Sequence, residues 1–289
     1  MNLVIGATGS LGGLISHHLL KGGSRVRALV REGSDYSSLQ SGGAEVALGD
    51  LKNRRSLERA CIGARRIIAT ATAATRSGQD TVDAVDRQGY ADLIEAAVAA
   101  GVEQFVFVSA HGFGADSPVP LAQAKAHTEQ ILRGSGMGFT ILRPALFMEA
   151  WISTLLGAQL QRGPRVLLMG NPDEPLPFVG IRNVADLALA VLGHDEAADA
   201  VLPLSAQAVS YRQIIERIGT VTGNAIEIET VPPGTEIPGF PPAILDLWSW
   251  LADGAIEPIE TVGVALRFGL AMETASAFVD RTFGKSSLI

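Results

Sequence analysis

Apolar runs and amphipathic stretches alternate along the first half of the chain. Residues 3–5 read as a strand, 11–21 as a helix, 26–30 as a strand and 36–40 as a short helix. Residues 45–48 read as a third strand, and the run ARRIIATAT ends in a fourth. Residues 80–100 carry apolar side chains at helical spacing, and Gly101 stands where a helix C-cap belongs. The aromatic and β-branched run EQFVFVSA gives the strongest strand signal. A helix over 121–132 and a strand over 139–142 follow. Strands that alternate with helices, and that show little internal alternation, predict a parallel sheet covered on both faces. The fold class expected is α/β, a Rossmann-type doubly wound sheet.

The second half changes character. Pro and Gly cluster at 163–180 and at 231–242, and helical patterns recur over 183–192, 211–222 and 243–251. This predicts a smaller, mostly helical C-terminal lobe that returns one or two strands to the main sheet. The division is placed near residue 150, with a dinucleotide-binding domain over 1–150 and a substrate-binding lobe over 151–289.

Composition narrows the class. Of 289 residues, 47% are hydrophobic and 18% charged, enough for a sizeable core. A net charge of -7 argues against a nucleic-acid partner. The single cysteine, Cys61, leaves no internal disulfide to form and reads as a small buried hydrophobe. The N-terminus shows no basic leader and no small-residue cleavage site. The longest apolar stretch, ALFMEAWISTLLGAQL, is broken by Glu149 and falls short of the roughly 20 residues that span a bilayer. A soluble cytoplasmic protein is expected, a monomer or homodimer with no membrane partner.

The glycine loop carries the first chemistry. Gly6, Gly9 and Gly12 follow a strand and open a helix, within the run Gly6-Ala7-Thr8-Gly9-Ser10-Leu11-Gly12. Gly6 permits a tight turn, Gly9 a close approach of backbone to pyrophosphate, and Gly12 close helix–strand packing. The helix N-terminus then faces the phosphates, with hydroxyls from Thr8 and Ser10. The next strand ends in Arg31. A guanidinium there pairs with a 2′-phosphate, so NADP(H) is the cofactor expected rather than NAD(H). Asp50, with Leu51 beside it, follows the third strand and suits the adenine amino group. Ala71 and Thr72 follow the fourth strand. Ser109 ends the fifth at the carboxyl edge, where open α/β sheets bind ligands.

These motifs, with the run AKAHTEQILRGSGMGFTILRPALFMEAW and the later PFVGIRNVADLALAVL, resemble the atypical short-chain dehydrogenase/reductases. The nearest group is the NmrA-like family, with its quinone-oxidoreductase-like and isoflavone-reductase-like relatives. Asn183 departs from the pattern, because relatives often carry an acid there. The resemblance implies a nicotinamide-dependent oxidoreductase.

Standard short-chain dehydrogenases place a tyrosine four residues before a lysine. Lys125 fits the lysine, but Leu121 occupies the tyrosine position, and Tyr36, Tyr90 and Tyr211 all lie elsewhere. The resemblance gives Lys125 a cofactor-ribose contact and a proton relay in the isoflavone-reductase-like branch, and cofactor binding alone in the NmrA-like regulators. An exposed Lys125–Glu129 pair, worth about 0.2–0.5 kcal/mol, is the plain alternative. His111 is a second catalytic candidate, a proton donor near neutral pH. No metal-ligand spacing and no G-x-S-x-G elbow is present. Pro144, Ala145 and Phe147 follow the sixth strand, where the resemblance puts the nicotinamide. Phe147, Met148, Trp151, Phe178, Phe240, Trp248 and Trp250 are candidates for an apolar, aromatic substrate pocket, with burial in the core as the plain alternative for several of them. The expected activity is NADPH-dependent reduction of a quinone, an enone or another conjugated aromatic carbonyl. The alternative is a non-catalytic NADP(H)-binding redox sensor that acts through a protein partner.

Overall fold

The first strand is buried over all four of its residues, as a strand with helices on both faces must be. In the computed structural model, which describes residues 1–74, 76, 78–252, 254, 256, 259 and 262–284, it lies inside a seven-stranded sheet. In chain order the strands are β1 (Asn2–Ile5), β2 (Val26–Val30), β3 (Glu45–Leu48), β4 (Arg66–Ala69), β5 (Gln104–Val108) and β6 (Gly138–Pro144). There follow β7 (Leu146–Phe147), β8 (Arg165–Met169), β9 (Pro175–Val179), β10 (Ala200–Leu204), β11 (Gln207–Ser210) and β12 (Glu227–Val231). The main sheet runs β10-β6-β5-β4-β1-β2-β3. Strands β1 to β6 pair in parallel, with β1 between β2 and β4. That reversal of strand order beside β1 is the switch point where doubly wound sheets open a crevice at their carboxyl ends.

The chain forms two compact units, each made of two stretches. The first comprises Met1–Arg143 and Val184–Leu202. Its early helices are α1 (Ser10–Lys21), α2 (Ser37–Ser41), α3 (Arg54–Cys61), α4 (Tyr90–Ala99) and α5 (Pro120–Gly134). One core face packs Leu3, Ile5, Ile67, Phe105, Phe107 and Ile141 of the strands against Leu57, Cys61, Tyr90, Leu93 and Leu132 of the helices. Cys61 is fully buried there. The second stretch completes the sheet edge. Thr140 donates to the Ala197 carbonyl at 2.8 Å, and Gln104 to that of Val191 at 2.9 Å.

The helix predicted over 80–100 is not uniform. Asp83–Gly89 forms a widened, π-helical turn that runs into α4. Such turns occur often at functional sites, because the extra residue re-aims side chains. Here the turn carries Asp86 inward.

The second unit comprises Pro144–Asn183 and Pro203–Ile289. It carries a three-stranded sheet, β11-β9-β7, and a β12-β8 pair. Its helices are α6 (Leu155–Leu160), the start of α7 (Ile181–Ala190), α8 (Tyr211–Thr222), α9 (Pro242–Ala252), α10 (Val262–Arg267) and α11 (Ala275–Phe283). It is richer in strand than the apolar periodicity indicates, since runs of two to five residues are too short to show a clear alternation. Its core includes Trp151, Phe178, Tyr211, Trp248 and Phe278. Among the described residues, no helix is long and apolar enough to cross a membrane.

Candidate functional site

The glycine loop leaves β1 through Gly6, whose φ of 83° lies in the left-handed region that glycine alone adopts at no cost. Gly9 donates its N–H back to the Gly6 carbonyl at 2.9 Å and caps α1, with no side chain covering the helix end. Gly12 is the tight packing point. A Cβ there would sit 2.3 Å from the Gly6 carbonyl oxygen and 2.8 Å from the Thr70 hydroxyl. Ala7 is buried beneath the loop, while Thr8, Gly9 and Ser10 are exposed at the start of α1, with Leu11 partly covered behind them. Backbone N–H groups and hydroxyls at an open helix start form an anion seat.

Beside this loop lies a small, open cleft. Gly6, Thr8, Arg31, Asp50, Leu51, Ala71 and Thr72 line it together, from four separate segments of the first unit. Three residues that pattern reading passed over line it too: Lys52, Arg76 and Asp80. They form a charge cluster. Arg31 donates to Asp80 at 2.6 Å, Arg76 donates to the same carboxylate oxygen at 3.2 Å, and Lys52 to the other oxygen. Lys52 also holds Asp50, at 3.0 and 2.9 Å. The Lys52 ammonium first, then Arg76 and Arg31, hold the Asp80 carboxyl down at about 2 against the opposing effect of its partial burial. Their signal in the sequence was positional: all three follow strand ends, the edge where crevices form.

Lys125 sits deeper. It lies on α5 with Ala122, Thr128, Glu129 and Leu132 on the same buried face. The exposed Lys125–Glu129 pair allowed by the sequence is therefore not what forms. Both residues are buried, at 8% and 4% exposure, and Glu129 is engaged elsewhere. It accepts from Arg143 at 2.9 and 2.6 Å and from the Ser109 hydroxyl at 2.6 Å. The Ser109 hydroxyl thus points to Glu129. The Lys125 ammonium donates to the Val108 carbonyl at 3.0 Å and stands 5.1 Å from the centre of the Phe107 ring. Burial pushes its pKa down, partly offset by the negative charges of Asp86 and Glu129.

Asp86, beside Lys125, is a further residue that pattern reading missed. It is 1% exposed. Its Oδ2 accepts from the Ala73 N–H at 2.8 Å, while its buried Oδ1 has no hydrogen-bond partner. Burial raises its pKa, and the Lys125 charge is the largest opposing influence. The signal was present: Asp86 falls four residues before Tyr90 and seven before Leu93, on an otherwise apolar face. Tyr90 does not replace the missing tyrosine. Its ring is fully buried, edge-on to Phe107, and its hydroxyl donates to the Ala71 carbonyl at 2.7 Å.

Other candidates are not among the residues that line the cleft. His111 is half-buried in the turn after β5. Pro144 and Phe147 belong to the second unit, the first ending β6 and the second in β7. The proposed aromatic pocket is largely core: Met148, Trp151, Phe178 and Trp248 are 0–7% exposed. Trp151 packs edge-on to Trp248 at 6.4 Å, and Phe240 and Trp250 lean on the same cluster. Among the described residues no group of His, Cys, Asp and Glu side chains could hold a metal ion.

The sequence pattern defining the NmrA-like family matches residues 2–245. The chain belongs to the NmrA-like family. Among its relatives is the photosystem II assembly factor Ycf39 of Cyanophora paradoxa, 31% identical over 231 residues, covering 80% of this chain and 71% of that protein. Another is the NAD(P)H azoreductase of Xenophilus azovorans, 28% identical over 254 residues, covering 85% and 84%. The fold is shared with the NADPH-dependent quinone oxidoreductase of Escherichia coli, solved with NADPH. The TM-score is 0.82 at 21% identity, over 98% of this chain and all of that one.

Proposed function

We propose that this NmrA-like chain is an NADPH-dependent reductase of quinones, enones or other conjugated carbonyls. The observation that carries the reading is Arg31, whose guanidinium stands on the wall of the cleft beside the glycine loop. A planar fork there is suited to pair bidentately with a 2′-phosphate. The loop seats the pyrophosphate, and Asp50 meets the adenine. Bound nicotinamide supplies the hydride, and the protein supplies position and electrostatics. Lys125 anchors the ribose and offers a proton path; a buried ammonium with a depressed pKa gives up its proton more readily than a surface lysine. No tyrosine acid is needed for a quinone. Hydride addition yields a phenolate, a stable anion that water can protonate. The azoreductase relative and the quinone-oxidoreductase fold likeness both support a two-electron reductase.

A second reading is favoured by one observation, the 31% identity to an assembly factor. On that reading the chain binds NADP(H) and reports on it to a protein partner, with Lys125 holding ribose and nothing more.

Calorimetric titration with NADPH and NADH, followed by NADPH oxidation with quinones, enones and an azo dye, separates the two. Selective NADPH binding with turnover supports the reductase. Binding without turnover on any acceptor overturns it in favour of the sensor. Arg31→Ala is expected to weaken NADPH far more than NADH; an equal loss removes the 2′-phosphate assignment.

A further inference from the structure

Three cations reach the cleft from three different segments: Arg31 from the tip of β2, Lys52 from the turn after β3, and Arg76 from the loop after β4. Like charges gathered this closely repel unless an anion sits among them. The anions in the structure are the protein's own: Asp50 accepts from Lys52 at 3.0 and 2.9 Å, and Asp80 meets all three cations. Asp80 Oδ2 accepts from Arg31 at 2.6 Å and from Arg76 at 3.2 Å, and Oδ1 accepts from Lys52. Its side chain is 15% exposed, on the same wall as Gly6 and Thr8. A site with three convergent cations is left one positive charge in excess by Asp50 and Asp80. It matches a group with more oxygens and more charge than a carboxylate.

We propose that Asp80 is an internal counter-ion that competes with the 2′-phosphate of the dinucleotide for Arg31, Lys52 and Arg76, and so sets the cleft's preference between NADPH and NADH. The proposal rests on the reading of the cleft as a dinucleotide site. An incoming 2′-phosphate takes the three cations by its larger charge, and Asp80 must give up its partners and withdraw. A ribose with a free 2′-hydroxyl displaces nothing; it donates to the carboxylate that is already held in place. Asp80 therefore works against NADPH and for NADH. Its ionisation is secured by the same cations, which keep it charged throughout the neutral range.

The test is calorimetric binding of four probes to the whole protein: NADPH, NADH, adenosine 2′,5′-bisphosphate and AMP. Wild type is compared with Asp80→Asn, which keeps the shape and removes the charge, and with Asp80→Ser. Thermal unfolding confirms that the variants fold. Both variants are expected to bind NADPH and the bisphosphate about tenfold more tightly, at roughly 1.4 kcal/mol per decade. NADH and AMP are expected to bind equally or less well, and the NADPH gain should shrink as salt rises. An unchanged ratio of NADPH to NADH affinity overturns the counter-ion role. So does a loss shared by all four probes, which would make Asp80 a loop clasp only. If wild type binds neither dinucleotide, the parent reading falls with it. If wild type binds NADPH in an Arg31-dependent way but Asp80→Asn leaves the ratio unchanged, only the present inference falls.

Discussion

Arg143 closes on Glu129 with two hydrogen bonds, Nε to Oε1 at 2.9 Å and Nη2 to Oε2 at 2.6 Å. The pair joins the end of β6 to the buried face of α5. It also occupies the carboxylate closest in sequence to Lys125, while the charge that chiefly opposes the burial of Asp86 is that of Lys125 itself.

Removing the arginine should therefore cost more than a surface pair would. Arg143→Ala strands a carboxylate that is 5% exposed, with Ser109 and a more distant Arg133 as its remaining partners. A destabilisation of about 2–4 kcal/mol is expected, below the upper end for buried pairs because Arg143 itself is one-third exposed. The denaturant midpoint measures it. A change inside about 0.5 kcal/mol would mean that Glu129 is solvated in solution.

Lys125 and Asp86 should behave as one unit. Lys125→Met alone leaves the Asp86 carboxylate buried without its balancing charge, and Asp86→Asn alone leaves the ammonium under-compensated. Each single change is expected to destabilise, and the double change to recover part of the loss. The coupling should be about 1–3 kcal/mol by a double-mutant cycle. Additive losses would show that the two charges do not sense each other. On the reductase reading, Lys125→Met also lowers turnover by roughly 10²–10⁴-fold.

Acid stability follows from Asp80. Its folded-state pKa of about 2 lies below the ordinary 3.8, so the unfolded chain binds the proton first. The contribution to stability is full above the ordinary aspartate value, and it is lost as pH falls through about 2. Asp80→Asn should flatten the decline of melting temperature across that window. Parallel acid curves for wild type and variant would show that the three cations do not hold the carboxylate.

Asn183 occupies a place where an acid would fit poorly. It is 2% exposed; its Nδ2 donates to the Ala271 carbonyl at 2.9 Å and its Oδ1 accepts from the Glu273 N–H at 3.3 Å. One side chain must both donate and accept. Asn183→Asp sets a carboxylate oxygen against a carbonyl oxygen, at an expected cost of about 1–3 kcal/mol at neutral pH. The cost should shrink in acid, where a protonated carboxyl can donate again. Thermal unfolding at two pH values checks both parts.

Much of the first unit was legible because its signals are local. A strand, Gly6, Gly9 and Gly12, and a helix follow one another within twenty residues, and the structure builds the loop from those glycines. Arg31 was legible from its place at a strand end. Asp80 and Arg76 follow a strand end too, but their meaning lies in the contact of Asp80 with Arg31 across 49 positions of sequence, which no local pattern shows. Asp86 had a signal, a charge on an apolar face, but uniform helical spacing hides the π-turn that aims it. The aromatic set of the second unit stayed open between pocket and core for the opposite reason. Large rings at helical spacing look alike whether they line a pocket or fill a core, and Trp151, Phe178 and Trp248 fill one.

The return of Val184–Leu202 to the first unit bears on how this protein could be dissected or recombined. An N-terminal fragment ending near residue 150 would retain every part of the glycine loop. It would lack the carbonyls of Val191 and Ala197 that receive Gln104 and Thr140, and it would lack β10. Strand β6 would become a bare edge, able to pair with the same edge of another copy. Such a fragment is expected to aggregate rather than to serve as a minimal binding module. Grafting experiments have to carry the returning segment along with the fragment.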